Sequence, residues 1–420
     1  MSHFAPVPCR VLLSRRRRDL YIEYVWWGAR VAMTLISMEF GWLLAMLALC
    51  GAGYAGLAAL AASRFMRVPV TGHRCDAPVT ILKPLYLGEP GLEENLESFF
   101  AQDFDAPIQI VFGVHDEADP ATQIVRALQA KYPGLDTCIV ADNALYGGNA
   151  KVSNLINMLP AAKHDILVLS DSDIRVPNNW LSEVTGALAK PGVGLVTCLY
   201  KGEAGVTGLW PMLAAMGTSY DFLPNVVTGV SLGLAEPCMG STIALTRDVL
   251  NRIGGFTAFS DFLADDYEMG QAVKRLDLHL AIPAMSVRHD ATETSGRELF
   301  QHELRWNRTI RRINPAGHIG SIITFAFPLA LMAAILLDFR SESLAVMAIA
   351  LGARLFLKYR IDGIFATHAG PFWLMPVRDL LSFAVFVASL SGVTVHWRGT
   401  RLSVERGGVI SPAESVEAAQ

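Results

Sequence analysis

The chain has 420 residues, 52% hydrophobic and 18% charged, which leaves too few charges to coat a soluble protein of that size, so part of it belongs in lipid. A mean hydropathy of +0.35, with 35 glycines and 21 prolines spread along the chain, excludes disorder, collagen and coiled coil, each of which needs a biased or periodic composition. Thirty-five basic against 39 acidic residues give a net charge of −4 and no electrostatic footprint for nucleic acid. Six cysteines (Cys9, Cys50, Cys75, Cys138, Cys198, Cys238) stand far apart with no CxxC pair. They read as reduced packing residues, not as a zinc cage or a disulfide framework.

In chain order, residues 1–37 read as an N-terminal extension. Arg15 to Arg18 form a basic run, and Glu23 and Arg30 break the next stretch into a poor span; a true start at Met33 or Met38 accounts for it equally well. Gly41 to Ala62 carries no charge. At about 1.5 Å per residue it spans a ~30 Å hydrocarbon core, so a transmembrane helix is expected over 38–66. The apolar run is too long, and the basic stretch too far upstream, for a signal peptide. Arg64, Arg67, Arg74 and Lys83 come after it, which by the positive-inside rule puts the next, roughly 250-residue loop in the cytoplasm; the Arg15–Arg18 run, where it is translated, pulls the other way.

Residues 78–315 alternate short β-rich runs with helical patterns, the mark of a layered α/β domain with a mainly parallel sheet. The expected strands are Val79–Leu82, Ile108–Val114, Thr137–Val140, Ile166–Leu169 and Val193–Cys198. Leu92–Phe100, Ala121–Lys131, Lys151–Leu159 and Trp180–Ala189 carry apolar residues at helical spacing. In such sheets the ligand lies beyond the carboxyl ends of the strands. Two acidic clusters fall there: His115, Asp116, Glu117 and Asp119 after the second strand, and Ser170, Asp171, Ser172 and Asp173 after the fourth.

On an extended backbone a spacing of two points Asp171 and Asp173 the same way, a hard oxygen site for Mg2+ or Mn2+ bridging a diphosphate. A solvated turn capping the helix that begins near Asn178 explains the same residues. Asp265 and Asp266 open a further helical pattern. There they serve the helix dipole, or form a carboxylate pair in which one pKa is pushed up toward that of a general base. Gln301 and Arg305 share a helix face ahead of Arg308, Arg311 and Arg312. That face can present an amide and a guanidinium to phosphate, and the whole helix can lie on an anionic leaflet. Beyond it, Ile319–Leu337, Leu344–Leu357 (interrupted by Arg354) and Leu380–Trp397 read as about three membrane segments within 316–397, leaving 398–420 as a polar tail.

In order and spacing these clusters resemble the D, D, D, QxxRW signature of the family 2 inverting glycosyltransferases with a GT-A fold (nucleotide-diphospho-sugar transferase, Rossmann-like), and within them the ceramide glucosyltransferase-like branch. The residues that carry the likeness are ILKPL (81–85), GLEENLESFFAQDF (91–104), VHDEADPA (114–121), NAKVSNL (149–155), SDSDIRV (170–176), VGLVTCLYKG (193–202), LADDYEMG (263–270), QHELRW (301–306) and WRGTRL (397–402). The resemblance implies that Asp116 contacts the nucleotide, that Asp171 and Asp173 hold Mg2+ or Mn2+ on the sugar-nucleotide diphosphate, and that Asp266 is the general base, with Asp265 at a position usually Glu or Asp. It further implies that Gln301, Arg305 and Trp306 hold the diphosphate and frame the acceptor. Lys83 and Lys151 fall in matching basic positions and serve uridine or phosphate.

Members of this branch glycosylate ceramide from UDP-glucose or, in hopanoid synthesis, bacteriohopanetetrol from UDP-N-acetylglucosamine. Tyr220 stands where the animal ceramide enzymes carry His. That departure, with the run KVSNLINMLPAAKHDILVLSDSDIRV, resembles the hopanoid-associated enzymes and implies a bacterial inner-membrane protein with its transferase domain on the cytoplasmic side. Trp210–Val227, rich in apolar and aromatic residues, is the candidate acceptor wall, with Trp210, Tyr220 and Asp265 on the acceptor side; an ordinary packing helix fits that stretch as well. About four spans are too few for a processive polysaccharide channel. A degenerate scaffold has no chemical reason to keep all four elements.

Overall fold

In the computed structural model, residues 15–68, 77–397, 400–405 and 407–412 are described. A 51-residue helix, α1 (Arg15–Phe65), leads into the α/β domain. Its Ile36–Phe65 portion is long and apolar enough to cross a membrane and covers all but the last residue of the span expected over 38–66. The helix is continuous through residues 15–37, so that stretch prolongs the span helix instead of standing apart from it.

The domain then keeps the expected alternation, with strand and helix ends within two residues of those read from the sequence. The first half comprises β1 (Val79–Pro84), α2 (Leu92–Phe100), β2 (Ile108–Val114), α3 (Pro120–Lys131), β3 (Asp136–Ala141), α4 (Ala150–Met158), β4 (Ile166–Leu169), β5 (Ile174–Arg175) and α5 (Trp180–Leu188). The second half comprises β6 (Val193–Thr197), β7 (Leu199–Ala204), α6 (Leu209–Gly217), a π-helical turn (Thr218–Phe222), α7 (Leu223–Ser231), β8 (Ile243–Thr246), α8 (Arg247–Arg252), α9 (Asp265–Lys274), β9 (His279–Ala281) and β10 (Ser286–Ala291).

Among the described residues the main sheet has seven strands in the order β3-β2-β1-β4-β8-β6-β9. It is parallel except at β8, which runs antiparallel to both neighbours. Successive side chains of a strand face opposite ways. Ile81 accordingly packs with Phe99, Phe112 and Trp180 on one face, and Leu82 with Val111, Leu155 and Leu167 on the other. Helix α2 buries Leu92, Leu96, Phe99 and Phe100, a stripe at helical spacing. Phe99 meets Trp180 edge-on at 5.2 Å, and the indole N–H donates to Thr242 Oγ1 at 3.2 Å, so burying the ring leaves no donor unpaired. A small sheet, β5-β10-β7, flanks the carboxyl ends of the main strands.

The chain continues through α10 (Gly296–Ile313), α11 (Pro315–Gly320), α12 (Ala326–Leu336), α13 (Ser341–Phe365), α14 (Met375–Ser389) and the strands β11 (Thr394–Trp397), β12 (Thr400–Val404) and β13 (Ile410–Pro412). Phe372–Ser389 is the second helix able to cross a membrane; the pair Pro315–Thr324 and Ala326–Leu336, bent by 67°, makes a third if it is one span. Helix α12 packs on α1 through Ala45, Ala48, Ala326, Ala330 and Ala333, small residues that let backbones approach where no water drives association.

Three expectations are corrected by the fold. Helix α13 covers the expected 344–357 segment but carries Arg354, Lys358 and Asp362 on its buried stripe, and it is not among the described helices apolar enough to cross. The segment read as Leu380–Trp397 ends at Ser389, and β11 begins at Thr394. Residues 400–404 and 410–412 are strands and not a polar tail, because Leu402, Val404 and Ile410 face a small core with Val395 and Leu263.

Candidate active site

The carboxyl ends of β1, β2 and β4, neighbours in the sheet, deliver Lys83, His115 and Asp171 to one edge. Lys83 lies inside β1 and is completely buried. Its ammonium donates to the Asp171 carbonyl and sits 3.9 Å from the centre of the Phe99 ring. Burial pushes its pKa down to about 7, and the charges of Asp171, Asp173 and Glu89 limit the fall.

After β4 the chain turns instead of staying extended: the Ile174 amide donates back to the Asp171 carbonyl at 3.4 Å. Asp171 and Asp173 therefore stand on a turn and not on the extended backbone that their spacing suggested. Asp171 pairs with Lys151 at 2.6 Å, and Asp173 pairs with His289 of β10 at 3.3 Å. Burial acts against both charges of the second pair, but mutual attraction wins: Asp173 is held below the usual carboxylate range and His289 above the usual imidazole range. Asp173 Oδ1 is buried with no hydrogen-bond partner.

Helix α4 is capped by Asn149, whose side chain accepts from Val152 N–H and donates to Asp265 Oδ1 at 3.2 Å. The next residue but one, Lys151, also reaches Asp265, at 3.7 Å. Asp266, in the first turn of α9, accepts from the Gly240 amide at 2.8 Å and from the Tyr267 amide at 2.7 Å. Burial, then the neighbouring Asp265 charge, raises its pKa to about 6. Gly240 is the hub: a Cβ there would lie 2.8 Å from Asp171 Oδ2, 3.3 Å from Lys151 Nζ and 3.5 Å from Asp266 Oδ2. Three distant stretches of chain thus line one polar cradle that a side chain would fill.

Other expected residues sit around this cradle. Trp306 on α10 stands edge-on to His302, centroids 4.6 Å apart, and 6.3 Å from the His289 ring, which ties the QxxRW helix to Asp173. Gln301 and Arg305 are half-buried on the same helix. Asp116 stands on the exposed loop after β2, its carboxylate accepting from the Ala118 amide at 2.9 Å, while His115 Nε2 lies 3.1 Å from the carbonyl of Ala150 at the start of α4. Of that first cluster, Asp119 caps α3 and Glu117 pairs with Arg126, which is turn chemistry.

The acceptor-side expectations need correction. Trp210 is partly exposed and packs over Gly296 at the start of α10. Tyr220 is completely buried in the π-helical turn and lines no open wall. Its hydroxyl donates to Asp362 and accepts from Lys358 Nζ at 2.8 Å and from the Ala369 amide at 3.1 Å. Phe222, two residues on, is the part of that stretch that meets the site, stacking on Tyr200 at 4.6 Å. Arg308 and Arg311, expected on a leaflet, donate to the backbone carbonyls of Leu390, Gly392 and Thr394.

His289, Tyr200, Glu293 and His302 were not singled out from the sequence. Tyr200 lies 5.6 Å from His289, and burial with the nearby Asp266, Asp173 and Asp171 charges keeps its hydroxyl protonated. His302 Nδ1 is bonded to Glu293. The available signal was the LYKG and RHD sequences of β7 and β10, short strands without a long apolar run to mark their ends.

The family model described as Glycosyl transferase family 21 matches residues 43–410. Ceramide glucosyltransferase 1 of Caenorhabditis elegans is 24% identical over 354 residues, covering 80% of this chain and 74% of its own length. The ceramide glucosyltransferase of Candida albicans is 37% identical over 114 residues, 24% of this chain and 21% of its own. A solved mannosyltransferase from Pyrobaculum calidifontis, in complex with GDP-Man and Mn2+, is similar over 83% of this chain and 99% of that one, at 20% identity and a TM-score of 0.48. The ceramide glucosyltransferase-like part of the resemblance stands, under the family 21 description. Since the match takes in the GT-A domain together with apolar helices on both sides of it, the chain belongs to glycosyl transferase family 21 and is a ceramide glucosyltransferase-like glycosyltransferase.

Proposed function

We propose that the chain moves a hexose from a UDP-sugar to a hydroxyl of a membrane lipid of the ceramide type, in one inverting displacement. The observation that carries this reading is the cradle over Gly240, where Asp171, Lys151 and Asp266 converge from three parts of the chain.

The residues present fit a divalent cation, Mg2+ or Mn2+. Asp173 keeps a buried oxygen without a protein donor, and Asp171 turns one oxygen toward the cradle. Among the described residues no group of three or more His, Cys, Asp or Glu could hold such an ion, so diphosphate and water oxygens would have to fill the remaining positions. Asp171 and Asp173 would hold it, and it would supply Lewis-acid stabilisation of the departing diphosphate.

The chain's own groups do the rest. Lys83 and Lys151 place positive charge at the donor end of the cradle, and Arg305 with Gln301 is assigned to the diphosphate from α10; fixed cations stabilise charge that develops as the glycosyl–phosphate bond breaks. Asp266 is assigned as the base that takes the proton of the acceptor hydroxyl. With a pKa near 6 it is roughly nine-tenths ionised at pH 7 while still a better base than an ordinary carboxylate. Its two backbone amide donors aim it without neutralising it. One displacement from the opposite face inverts the anomeric centre and needs no second carboxylate.

Ceramide is favoured as acceptor because the named relatives are ceramide glucosyltransferases. The alternative, N-acetylglucosamine transfer to bacteriohopanetetrol in a bacterial inner membrane, keeps the run KVSNLINMLPAAKHDILVLSDSDIRV but loses Tyr220, a residue spent on helix packing. Arg64 at the end of α1 and Arg67 just after it favour a cytoplasmic domain; Lys83 is buried in the site and does not count toward that rule, and Arg74 lies outside the described residues.

The test is direct. Purified protein in lipid nanodiscs is offered UDP-glucose and UDP-N-acetylglucosamine, each with ceramide and with bacteriohopanetetrol. Products are read by mass spectrometry and their anomeric configuration by NMR. Glucosylceramide of β configuration is expected; a hopanoid-only product overturns the acceptor, and an α product overturns the single displacement.

A further inference from the structure

We propose that the C-terminal sheet, β11-β12-β13, is a brace that positions Asp266. The inference rests on the reading of Asp266 as base and adds a positioning role for a part of the chain some 130 residues downstream.

The loop that carries the acidic pair, residues 260–264, runs beside β13 like an added strand. The Leu263 amide donates to the Gly408 carbonyl at 3.0 Å, and the Ile410 amide donates to the Asp261 carbonyl at 2.8 Å; Phe262 and Val409 form an antiparallel bridge between them. Leu263, three residues before Asp266, is buried among Val395, Leu402, Val404 and Ile410. A β-ladder and an apolar plug therefore both end at the residue that leads into the first turn of α9.

The opposite side of the loop is held by the turn that starts α4. The Gly148 amide donates to Asp261 Oδ1 at 2.8 Å, the Asn149 amide to the Ser260 carbonyl at 2.7 Å, and the Asn149 side chain to the Phe262 carbonyl at 2.8 Å. Gly148 passes so close to the sheet that a Cβ there would lie 3.1 Å from Ile410 Cγ1. The loop is clamped between the element carrying Lys151 and the C-terminal sheet.

The sheet in turn is fixed to the membrane side and to α10. Arg308 donates to the Thr394 carbonyl and Arg311 to the carbonyls of Leu390 and Gly392, the segment between α14 and β11. One rigid piece thus joins the QxxRW helix, the end of an apolar helix and the loop of the base. A base displaced by about 1 Å costs up to two orders of magnitude in rate; a brace of this kind acts on turnover more than on nucleotide binding, because it holds the loop leading to Asp266 directly and reaches the donor side only through the start of α4 and through α10, while Lys83, Asp171 and Asp173 belong to other elements.

The experiment uses the full chain in nanodiscs with Ile410→Ala, the milder Val404→Ala, and the conservative Ile410→Val. Expected for Ile410→Ala are a fall in kcat of about tenfold, a UDP dissociation constant within twofold of wild type, and faster hydrogen exchange in the 258–266 peptide. Val404→Ala shows the same pattern in smaller degree, and Ile410→Val restores both. Unchanged exchange in that peptide, or a loss of UDP affinity as large as the loss of kcat, overturns the brace. Asp266→Asn, measured alongside, separates the two readings. If it retains full turnover, the base assignment fails and takes the brace with it; if it is inactive while Ile410→Ala works at the wild-type rate, the base stands and the brace alone is wrong.

Discussion

Two of the buried clusters of charge among the described residues are finished differently. Around Gly240, the cluster of Lys83, Lys151, Asp171, Asp173, Asp265, Asp266 and His289 leaves Asp173 Oδ1, Asp265 Oδ2 and His289 Nδ1 buried without hydrogen bonds. Between the π-helical turn and helices α13 and α14, Arg354 donates to Asp379 at 3.0 Å and to the Tyr220 carbonyl at 3.2 Å and pairs with Asp221. Lys358 donates to Asp362 at 2.7 Å, Arg378 to Glu303 at 2.7 Å and to the Leu213 carbonyl at 3.0 Å, and Ser382 to Asp221 at 2.6 Å. None of these residues is among the described ones with an orphaned buried polar atom.

An unsatisfied buried polar atom costs about 1–3 kcal/mol, which a ligand that completes it offsets. A fully paired network holds elements together and is costly to break from one side. The first cluster thus fits the proposed site, and the second is a joint, binding α10 and the π-helical turn to the membrane-side helices. That joint also explains why Tyr220 misleads as an acceptor residue: its aromatic character invites a ligand reading, but its hydroxyl is spent three times over on packing partners.

Substitutions that treat the two clusters as interchangeable should expose the difference. The largest effect is expected for Asp173→Ala, a loss of roughly 10³-fold in transfer together with the divalent-cation dependence, with a fall in melting temperature smaller than for Arg354→Ala as His289 loses its partner; wild-type turnover undiminished in EDTA would contradict the metal assignment. Arg354→Ala should act the other way round, lowering stability by about 3–5 kcal/mol by leaving Asp379 and Asp221 unpaired. Thermal unfolding in detergent reads this, and an unchanged melting point with abolished turnover would move Arg354 into the site.

Gly240→Ala sits between these extremes. Its Cβ would press on Asp171 Oδ2 at 2.8 Å, so kcat/KM for the donor should drop about tenfold with little change in stability. The smallest effect is on pH dependence. Asp266 works as a base only when ionised, so with a pKa near 6 kcat/KM should rise with pH, about tenfold per unit below pH 6, and level off above it. Asp265→Asn removes one of the charges that hold that pKa up and should move the rising limb to lower pH.

How each element is buried decided whether it was legible in the sequence. Strands buried on both faces are written as continuous apolar runs, so β1, β2 and β4 and the carboxylates at their ends could be placed directly. The pairing of those carboxylates could not, because Lys151 and His289 arrive from a helix start and from a short strand of the second sheet. Strand β8, four residues long and antiparallel to both neighbours, gave no periodicity to find. At the C-terminal end the single apolar residues Val395, Leu402, Val404 and Ile410 looked like the edge of a span or a tail. They matter because they alternate, and alternation over so few residues is easily lost beside a long apolar helix.

The division into site and joint stands or falls on Asp266. Lipid glycosylation and UDP-sugar binding are to be measured on the same preparation of Asp266→Asn in nanodiscs. The account predicts a fall in transfer of about 10²–10⁴-fold with UDP-sugar affinity and melting temperature unchanged; transfer at the wild-type rate, or a loss of UDP-sugar binding equal to the loss of transfer in a folded protein, would contradict it.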